Sequence, residues 1–449
     1  MASPDGLLRR RGLLAMNSRL AGDVGDRRSS MSRAGRIGRR SRIFCSAANA
    51  TDTAQPRRRA AMLAIGTANP PNSMSQDEYA DWYFRVTNSD HLTNLKHKLK
   101  KICKHKTPKI SPSKSPKRSK SGIRKRHFYH GDDTFRDHPE LAVRGAPSLD
   151  ARQDILRTAV PELAAAAAAR AIDEWGRPAS DVTHLVFANL SGVSVPGHDL
   201  RLASLLGLRP SVQRTSMYFH GCSAAAAALR VAKDIAENNP GTARVLVACA
   251  ELSLFMFRAP TPTTQRDSTL VVQALFADGA GAVIVGAGDD TDGERKVFDI
   301  MSAVQTVLPD SEGGADGQLY ASGLVFQPSF KLPAMLRDRV EQCLAKGIGP
   351  LAVAAAGGGG GWNDMFWAVH PGGRAILDGV EEGLSLAPEK LEASRRVLSE
   401  YGNMSGAGLI FVLDELRRGG DLPPGGLGVM IGVGPGVSIE TMLLRAPAA

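Results

Sequence analysis

The sequence predicts an α/β fold made of two halves that repeat one arrangement of strands and helices. Apolar, strand-like segments alternate with longer helical segments from Ala61 to Asp289, and the alternation begins again at Val297. Strands separated by helices of this length need crossover connections, which predicts buried and mostly parallel sheets. The 449 residues also exceed the size at which one core stops growing, about 250 to 300 residues. We therefore expect two duplicated domains, 60–297 and 298–449.

The elements of the first half follow from the spacing of apolar residues. An apolar strand at 61–68 ends in a Gly/Asn/Pro turn, and two helical patterns follow it. Further elements resume after Ala146. The predicted strands are 61–68, 183–192, 211–219, 244–252 and 279–287, and the predicted helices are 77–87, 91–102, 149–176, 199–207 and the segment after Cys222.

The second half repeats this kind of alternation and closes on a pair of strands. Its apolar residues again follow strand and helix periods in turn. The predicted elements are strands at 297–308 and 365–370, helices at 332–347, 374–384 and 398–419, and two strands within 428–446.

Positive charge is concentrated in two segments of the chain. Residues 1–60 contain 14 Arg and 4 Asp, and residues 96–126 contain 14 Lys and Arg with no acidic residue. Because these segments together carry more positive charge than the net charge of +11, the rest of the protein is acidic. Any surface that binds nucleic acid or an anionic membrane is therefore confined to them. The sequence has no run of about 18 apolar residues that would span a membrane.

Residues 1–59 and about 104–120 are predicted to lie outside the compact fold. The first segment is rich in Arg, Ser, Gly and Ala, as in an organelle transit peptide. The alternatives are a disordered basic extension and an upstream start codon. The second segment alternates Lys, Ser and Pro, which indicates a flexible insertion or a retained intron. We expect a cytoplasmic protein, or a plastid protein if the extension is a transit peptide.

The cysteines show no disulfide or metal-binding pattern. Their number is odd and no two are spaced as Cys-x-x-Cys, which predicts a reducing compartment and no metal site. The five are Cys45, Cys103, Cys222, Cys249 and Cys343.

Cys222 occupies a position at which a thiol becomes reactive. It follows the predicted strand 211–219 and precedes an alanine-rich helix, and Gly221 allows a sharp turn between the two. The unpaired N–H groups and positive dipole end of a helix N-terminus stabilise a thiolate. A cysteine in apolar surroundings is more often an inert core residue, so position alone leaves both interpretations open.

His370 and Asn403 also lie beside glycines at the ends of predicted elements. His370 ends the strand 365–370 before Pro-Gly-Gly, at the sheet edge where α/β folds bind ligands. Asn403 lies in SEYGNMSGAG, where a turn or N-cap is the simplest explanation. Together with Cys222 they match thioester chemistry. An imidazolium stabilises a thiolate, and His and Asn donate hydrogen bonds to a thioester oxygen.

The motifs around these residues resemble those of plant type III polyketide synthases, the chalcone synthase family. The resemblance covers about residues 60–449, and so many long motifs in one order are highly specific. It implies a duplicated thiolase-like αβαβα fold, a homodimer, and catalysis without metal or organic cofactor. The motifs are LAIGTANPPN, YFRVTNSDH, APSLDARQDI, SGVSVPG, LLGLRP, AKDIAENN, QALFADGAGAVIVG, WAVHPGGRAILD, SEYGNMSG and GVGPGVSIET.

The resemblance also implies roles for single residues. Cys222 takes an acyl starter from a CoA thioester. His370 and Asn403 bind the thioester carbonyl of malonyl-CoA, which loses CO₂ and lengthens the chain by two carbons before the product cyclises. Phe276 and Phe326 match the two gatekeeper phenylalanines of the family. The cavity is expected to contain also Gly317, Ser405 and the loop residues Gly432, Gly434, Pro435 and Gly436.

Three cavity positions depart from the family pattern. Leu190 and Met256 stand where threonine is customary, and Val272 stands where glycine is customary. Each change adds bulk or removes polarity. We therefore predict a narrower, less polar cavity, with fewer condensations or a different cyclisation.

The residues expected to bind the CoA phosphates lie on both sides of the insertion. Lys98 and Lys101 fit two basic positions of the family, and either Lys120 or His105 fits the third. Lysine suits phosphate as a mobile point charge. The insertion at the tunnel mouth either weakens CoA binding or loops into solvent.

Two other functions stay open from the sequence. A bacterial-type ketoacyl carrier-protein synthase shares the Cys, His and Asn, but it is expected to lack the GVGPG loop and the LDARQD stretch. A catalytically silent homologue with a nucleic-acid-binding tail would show steep salt dependence. The Lys/Ser/Pro segment lacks the interleaved aromatic residues of a specific RNA site. We therefore expect CoA thioesters and a second copy of the chain as partners, and neither nucleic acid nor a membrane.

Overall fold

The computed structural model describes residues 59–104, 120–261, 268–288, 293–355, 361–420 and 422–448. The predicted N-terminal extension, apart from Arg59, and nearly all of the predicted insertion at 104–120 lie outside these residues, as does His105. The expectations about these two segments therefore stay predictions.

The part of the chain before residue 289 contains the strands and helices that the apolar periodicity predicted, together with two short strands, β2 and β3, and two short helices, α3 and α7, which it did not predict. Its elements are β1 (Ala60–Ala68), β2 (Asn72–Ser75), α1 (Gln76–Val86), α2 (Thr93–Cys103), β3 (Lys125–Phe128), α3 (Asp132–Asp137), α4 (Leu149–Trp175), β4 (His184–Asn189), α5 (His198–Leu205), β5 (Gln213–Tyr218), α6 (Ala224–Asn238), β6 (Arg244–Glu251), α7 (Thr269–Leu275) and β7 (Gly279–Ala287).

The part after residue 297 adds a hairpin, β9 and β10, and a short helix, α9, that the periodicity also missed. Five of the six residues of β9 are exposed, so this strand lacks a buried apolar pattern. Its elements are β8 (Phe298–Val307), β9 (Ala315–Tyr320), β10 (Gly323–Pro328), α8 (Leu332–Gly347), α9 (Gly349–Ala355), β11 (Phe366–Val369), α10 (Arg374–Gly383), α11 (Glu392–Tyr401), α12 (Ala407–Arg418), β12 (Leu427–Gly434) and β13 (Ser438–Arg445).

Nine strands form one mixed sheet in the order β11-β12-β13-β8-β1-β7-β6-β4-β5. Among the described strands, five neighbouring pairs of this sheet are antiparallel and three are parallel. The expectation of mostly parallel sheets was therefore wrong. One reason is the three-residue connection 435–437, which joins β12 directly to β13, and so short a connection permits only an antiparallel pair.

The strand pattern repeats on the two sides of the contact between β1 and β8. From β1 outward, β7 is antiparallel to β1, β6 is antiparallel to β7, and β4 is parallel to β6. From β8 outward, β13, β12 and β11 follow with the same sequence of directions. The repeat in order and direction agrees with the duplication predicted from the sequence.

The protein has five layers, which are a central layer of helices, a layer of strands on each side of it, and a layer of helices on each outer face. Helices α6 and α12 lie in a central core together with apolar side chains from strands of both halves. Helix α4 covers the outer face of the first half, and α8 and α10 cover the outer face of the second. The run Ala224–Ala228 of α6 is fully buried, because small side chains allow the helix to fit between strands on both sides. This arrangement places the residue just before α6 in the interior.

Candidate active site

Cys222 lies in a single 3₁₀ turn, Gly221–Ser223, that connects the end of β5 to α6. Gly221 has a positive φ of 55°. A Cβ atom at Gly221 would lie 2.9 Å from the Pro435 side chain, so the turn requires glycine. The Ser223 hydroxyl donates a hydrogen bond of 3.0 Å to the His220 carbonyl. The turn is thus held between the strand and the loop that follows β12.

Asn403 lies in the segment 402–406 between α11 and α12. The single helix predicted over 398–419 is therefore two helices, because Gly402 and Ser405 both adopt positive φ angles, 74° and 50°, which interrupt helical geometry. The Asn403 amide nitrogen donates a 3.0 Å hydrogen bond to the Gly372 carbonyl. Its amide oxygen accepts a 2.9 Å hydrogen bond from the Ser405 N–H. These two bonds fix the orientation of the carboxamide.

His370 directly follows β11, at the end of that strand. Its backbone N–H donates a 2.9 Å hydrogen bond to the Ile431 carbonyl of β12. The side chain is buried, and neither ring nitrogen has a hydrogen-bond partner among the described residues. Buried polar atoms usually have partners, so the two nitrogens are available to a substrate or to Cys222.

The three side chains meet at one cavity of about 310 Å³. Cys222, His370 and Asn403 come from three separate segments of the chain and all line it. Phe276 and Phe326 form part of the wall, with ring centroids 5.8 Å apart in an edge-to-face arrangement. The cavity therefore combines a thiol, an imidazole and a carboxamide with largely apolar walls, as small-molecule sites do.

Burial shifts the pKa values of the two titratable residues in opposite directions. Burial raises the pKa of the Cys222 thiol to about 12, although interactions with Ser405 and Asn403 lower it in part. The thiol faces the cavity and so retains some accessible surface. Burial lowers the pKa of His370 to about 3. Each charge alone is thus unfavourable in this site.

The comparisons with known proteins agree with this geometry. Residues 47–289 match the N-terminal domain of chalcone and stilbene synthases, and residues 299–447 match the C-terminal domain. The chain belongs to the chalcone and stilbene synthase family. Bisdemethoxycurcumin synthase from Oryza sativa subsp. japonica is 53% identical over 394 residues, which is 86% of this chain and 92% of that relative.

Membership of the family confirms the resemblance drawn from the motifs. The protein is a type III polyketide synthase with a thiolase-like fold. It is an acyltransferase that forms carbon–carbon bonds by decarboxylative condensation.

The remaining predicted cavity residues of the polyketide synthase lie in four places. Gly434 and Pro435 line the cavity itself. Gly317 pairs with Phe326 across the β9–β10 hairpin, and Ser405 lies close enough to Cys222 to influence its pKa. Met256 and Val272 line a second, much smaller cavity of about 10 Å³, which Phe276 separates from the first.

Three other residues named from the sequence are not among the described residues that line the cavity. Leu190 is buried, and its N–H donates a 3.0 Å hydrogen bond to the Glu251 carboxyl group. A Cβ atom at Gly432 would lie 2.9 Å from Ala226, so glycine here lets β12 approach α6. Gly436 has a positive φ of 66° in the turn before β13.

The mouth of the cavity carries cations, and one of them was not anticipated. Lys120 lines the cavity, whereas Lys98 and Lys101 lie exposed on α2, whose Ile102 lines it. Arg374, the first residue of α10, also lines the cavity and forms a 3.2 Å contact with Asp378. The sequence did contain a signal, because the arginine directly follows the glycines of WAVHPGGRAILD.

The described residues contain neither a metal-binding cluster nor a membrane-spanning helix. No three His, Cys, Asp or Glu side chains of the described chain are grouped so that they could hold a metal ion. In the same residues, no helix combines the length and apolar character needed to cross a membrane.

Proposed function

We propose that Cys222 accepts an acyl starter from a CoA thioester and that His370 and Asn403 bind malonyl-CoA for decarboxylative extension of that starter. The observation that carries the proposal is that these three side chains, from separate segments, line one cavity. Thioester exchange needs a nucleophile, a proton acceptor and donors for the developing oxyanion, and these residue types supply all three.

Loading begins with transfer of the thiol proton from Cys222 to His370. The step creates two opposite charges side by side, so the buried site gains no net charge. The thiolate attacks the starter carbonyl, the carbonyl π electrons move to oxygen, and the CoA thiolate leaves as the carbonyl re-forms. The leaving thiolate takes the proton back from His370.

Extension uses the same donors on malonyl-CoA. The bond to the carboxylate carbon breaks, CO₂ leaves, and the electron pair forms an enolate on the thioester. N–H groups of His370 and Asn403 stabilise the enolate oxygen. The enolate carbon attacks the Cys222 thioester and releases the thiolate, and the lengthened chain stays attached to CoA. No metal or organic cofactor takes part in these steps.

The product we propose is a short aromatic polyketide such as bisdemethoxycurcumin, for which a relative 53% identical to this chain is named. Support comes from the space behind Phe276. The side chains of Met256 and Val272 reduce it to a cavity of about 10 Å³. A growing chain that cannot extend into this space is released after few condensations.

We further propose that Lys120 and Arg374 bind the phosphates of CoA at the cavity mouth, with Lys98 and Lys101 adding positive charge nearby. Lysine and arginine bind phosphate by charge and hydrogen bonds. Both Lys120 and Arg374 line the cavity that contains Cys222, so a pantetheine arm passing between them points to the thiol.

A homodimer formed at the β5 edge of the sheet is the proposed assembly. β5 is the terminal strand, most of its residues are exposed, and a sheet edge of this kind pairs readily with a second copy. Val195 is fully exposed nearby, along with the partly exposed Val193, Leu200, Leu205 and Phe219. Val195→Asp should convert a dimer into monomers in size-exclusion chromatography with light scattering. A protein that is monomeric before the substitution contradicts the assembly.

The domain limits 60–297 and 298–449 and a cytoplasmic location also stay predictions.

The decisive experiment is incubation of the purified protein with malonyl-CoA and a panel of aromatic and aliphatic acyl-CoA starters, with products identified by mass. Cys222→Ala and His370→Gln are expected to abolish condensation. Product formation by Cys222→Ala refutes the nucleophile assignment. Conversion of a coumaroyl starter and three malonyl units mainly into chalcone refutes the narrow-cavity proposal.

The two alternative functions predict different outcomes in the same assay. A ketoacyl carrier-protein synthase would require carrier-protein thioesters, and the match of both domains to chalcone and stilbene synthases disfavours it. A silent homologue would leave Cys222 without an acyl group in intact-protein mass spectrometry.

A further inference from the structure

The small cavity behind Phe276 has an aromatic lining and a few polar side chains. Phe276 lines both this cavity and the one that contains Cys222, so its ring forms a partition between the two. The walls of the small cavity include the rings of Tyr79, Phe128 and Phe257. Its volume of about 10 Å³ suits about one water molecule.

His130 lines this cavity and has no hydrogen-bond partner among the described residues at either ring nitrogen. It is only 3% exposed. Its ring centroid lies 5.1 to 5.9 Å from those of Phe128, Phe257, Phe135 and Trp82. Its Nδ1 lies 4.0 Å from the Asp278 carboxylate, too far for a hydrogen bond. Burial lowers the pKa of His130 to about 3, so the ring is neutral at neutral pH.

The other polar side chains around the cavity already have partners. The Ser253 hydroxyl donates to Asp278 at 2.5 Å. Gln273 donates to the Met256 carbonyl at 3.1 Å and accepts from the Tyr79 hydroxyl at 3.3 Å. His130 is therefore the polar side chain of this lining, within the described chain, that a ligand would satisfy.

We propose that His130 hydrogen-bonds the distal hydroxyl of a hydroxyaryl starter acyl group, and that a water takes this place in the free enzyme. The inference rests on the proposed function, because the acyl group reaches His130 from Cys222. A neutral imidazole has one donor and one acceptor, and a hydroxyl group satisfies both. The cavity of about 10 Å³ has room for the hydroxyl oxygen in place of the water and not for the ring, which stays in the cavity of Cys222. The Phe276 side chain must turn to open the partition to the hydroxyl.

The experiment compares 4-hydroxycinnamoyl-CoA with cinnamoyl-CoA, using the full chain and His130→Leu. The rate of Cys222 acylation and kcat/KM are measured for both starters. We expect the unmodified enzyme to prefer the hydroxylated starter by about tenfold or more, because a polar site rejects an analogue that leaves it unpaired. His130→Leu should bring the ratio close to one by slowing the hydroxylated starter alone. His130→Gln, which keeps a donor and an acceptor, should restore part of the preference.

His127 provides a matched control. It lies on β3 three residues earlier, but its Nδ1 is 3.3 Å from the Pro70 carbonyl and its ring stacks on Tyr401. His127→Leu should leave the ratio unchanged. Thermal unfolding checks that each variant folds. If His130→Leu does not fold, the preference for the hydroxylated starter is compared between His130→Met, which should lose it, and His130→Gln, which should keep part of it.

Two results overturn the inference while leaving the proposed function intact. One is an unmodified enzyme that acylates Cys222 equally fast from both starters. The other is a preference that His130→Leu and His130→Met both retain. If no CoA thioester acylates Cys222 in any variant, the proposed function fails, and the role of His130 fails with it.

Discussion

Phe276 and Asn403 are joined by a backbone bridge that links the two halves of the fold. The Asn403 N–H donates to the Leu275 carbonyl at 2.9 Å, and the Ala277 N–H donates to the Asn403 carbonyl at 2.9 Å. A ring that separates two cavities and a carboxamide that faces the thiol are thereby held at a fixed distance by main-chain atoms. Substitution of either side chain leaves the bridge in place.

Asn403→Ala should therefore test the carboxamide without unfolding the site. We expect CO₂ release from malonyl-CoA to slow by about 100-fold, and Cys222 acylation to slow by less, since the enolate loses one of its two donors. Single-turnover acylation and CO₂ release are measured separately. Equal loss of both steps would mean that Asn403 acts on the thiol and not on the enolate.

His370→Gln should change the pH dependence of Cys222 alkylation. Burial raises the pKa of Cys222 to about 12, so a thiol without a proton acceptor is ionised at about pH 7 only to the order of 10⁻⁵. We expect iodoacetamide to react with the variant at least about 100-fold more slowly than with the unmodified enzyme at this pH. The rate in the variant should rise about tenfold per pH unit up to about pH 10. Identical profiles would show that His370 does not accept the thiol proton.

Much of the fold follows from apolar periodicity, and the site follows from glycines beside reactive residues. The pattern located β1, β4, β6 and β7, which are continuous buried runs. It gave the wrong sheet directions, because periodicity says that a strand is buried but not which neighbour it pairs with. Only the three-dimensional order of strands decides that.

The missed features depend on contacts between distant residues. His130 lies in a stretch without a motif, and its unpaired nitrogens become visible only when the aromatic rings around it are placed. The break between α11 and α12 depends on the bridge from Asn403 to Phe276, which lies 127 positions away in the printed sequence. Tertiary hydrogen bonds of this kind override local helix propensity.

Met256→Thr combined with Val272→Gly should enlarge the space behind Phe276. Both side chains line the small cavity, and the double variant replaces them with the smaller residues that the resemblance to the family implies. We expect products that contain more malonyl-derived units, identified by mass, at a cost of about 2 to 4 kcal/mol in stability. Each single variant should give an intermediate distribution. An unchanged product from a folded double variant would show that this space does not limit chain length.

Lys120→Ala and Arg374→Ala should each raise KM for malonyl-CoA by about tenfold while kcat changes little, because both side chains line the cavity mouth. The difference in KM between each variant and the unmodified enzyme should shrink at higher salt concentration, because salt screens the attraction between these cations and the phosphates of CoA. An N-acetylcysteamine thioester, which lacks the nucleotide, serves as a substrate control and should be used equally well by all variants. Lys346→Ala, an exposed lysine of α8, is the matched protein control. Loss of activity with both thioesters would point to damage at Cys222 instead.

Glu251→Gln should alter how stability depends on pH. Burial raises the pKa of Glu251 to about 8, and its carboxyl group accepts hydrogen bonds of 3.0 Å from the Leu190 N–H and the Ser191 hydroxyl. Because the folded pKa lies above the unfolded one, the fold favours the protonated acid, and stability is lost as pH rises between about 4.5 and about 8.

An amide at position 251 keeps the oxygen acceptor and removes the titration. The unmodified enzyme should therefore lose stability relative to Glu251→Gln across this range by up to about 5 kcal/mol, and the difference should level off above about pH 8. Urea unfolding at a series of pH values measures it. A constant difference between the two proteins at every pH would mean that Glu251 is already ionised in the folded state, and that the hydrogen bonds from Leu190 and Ser191 outweigh its burial.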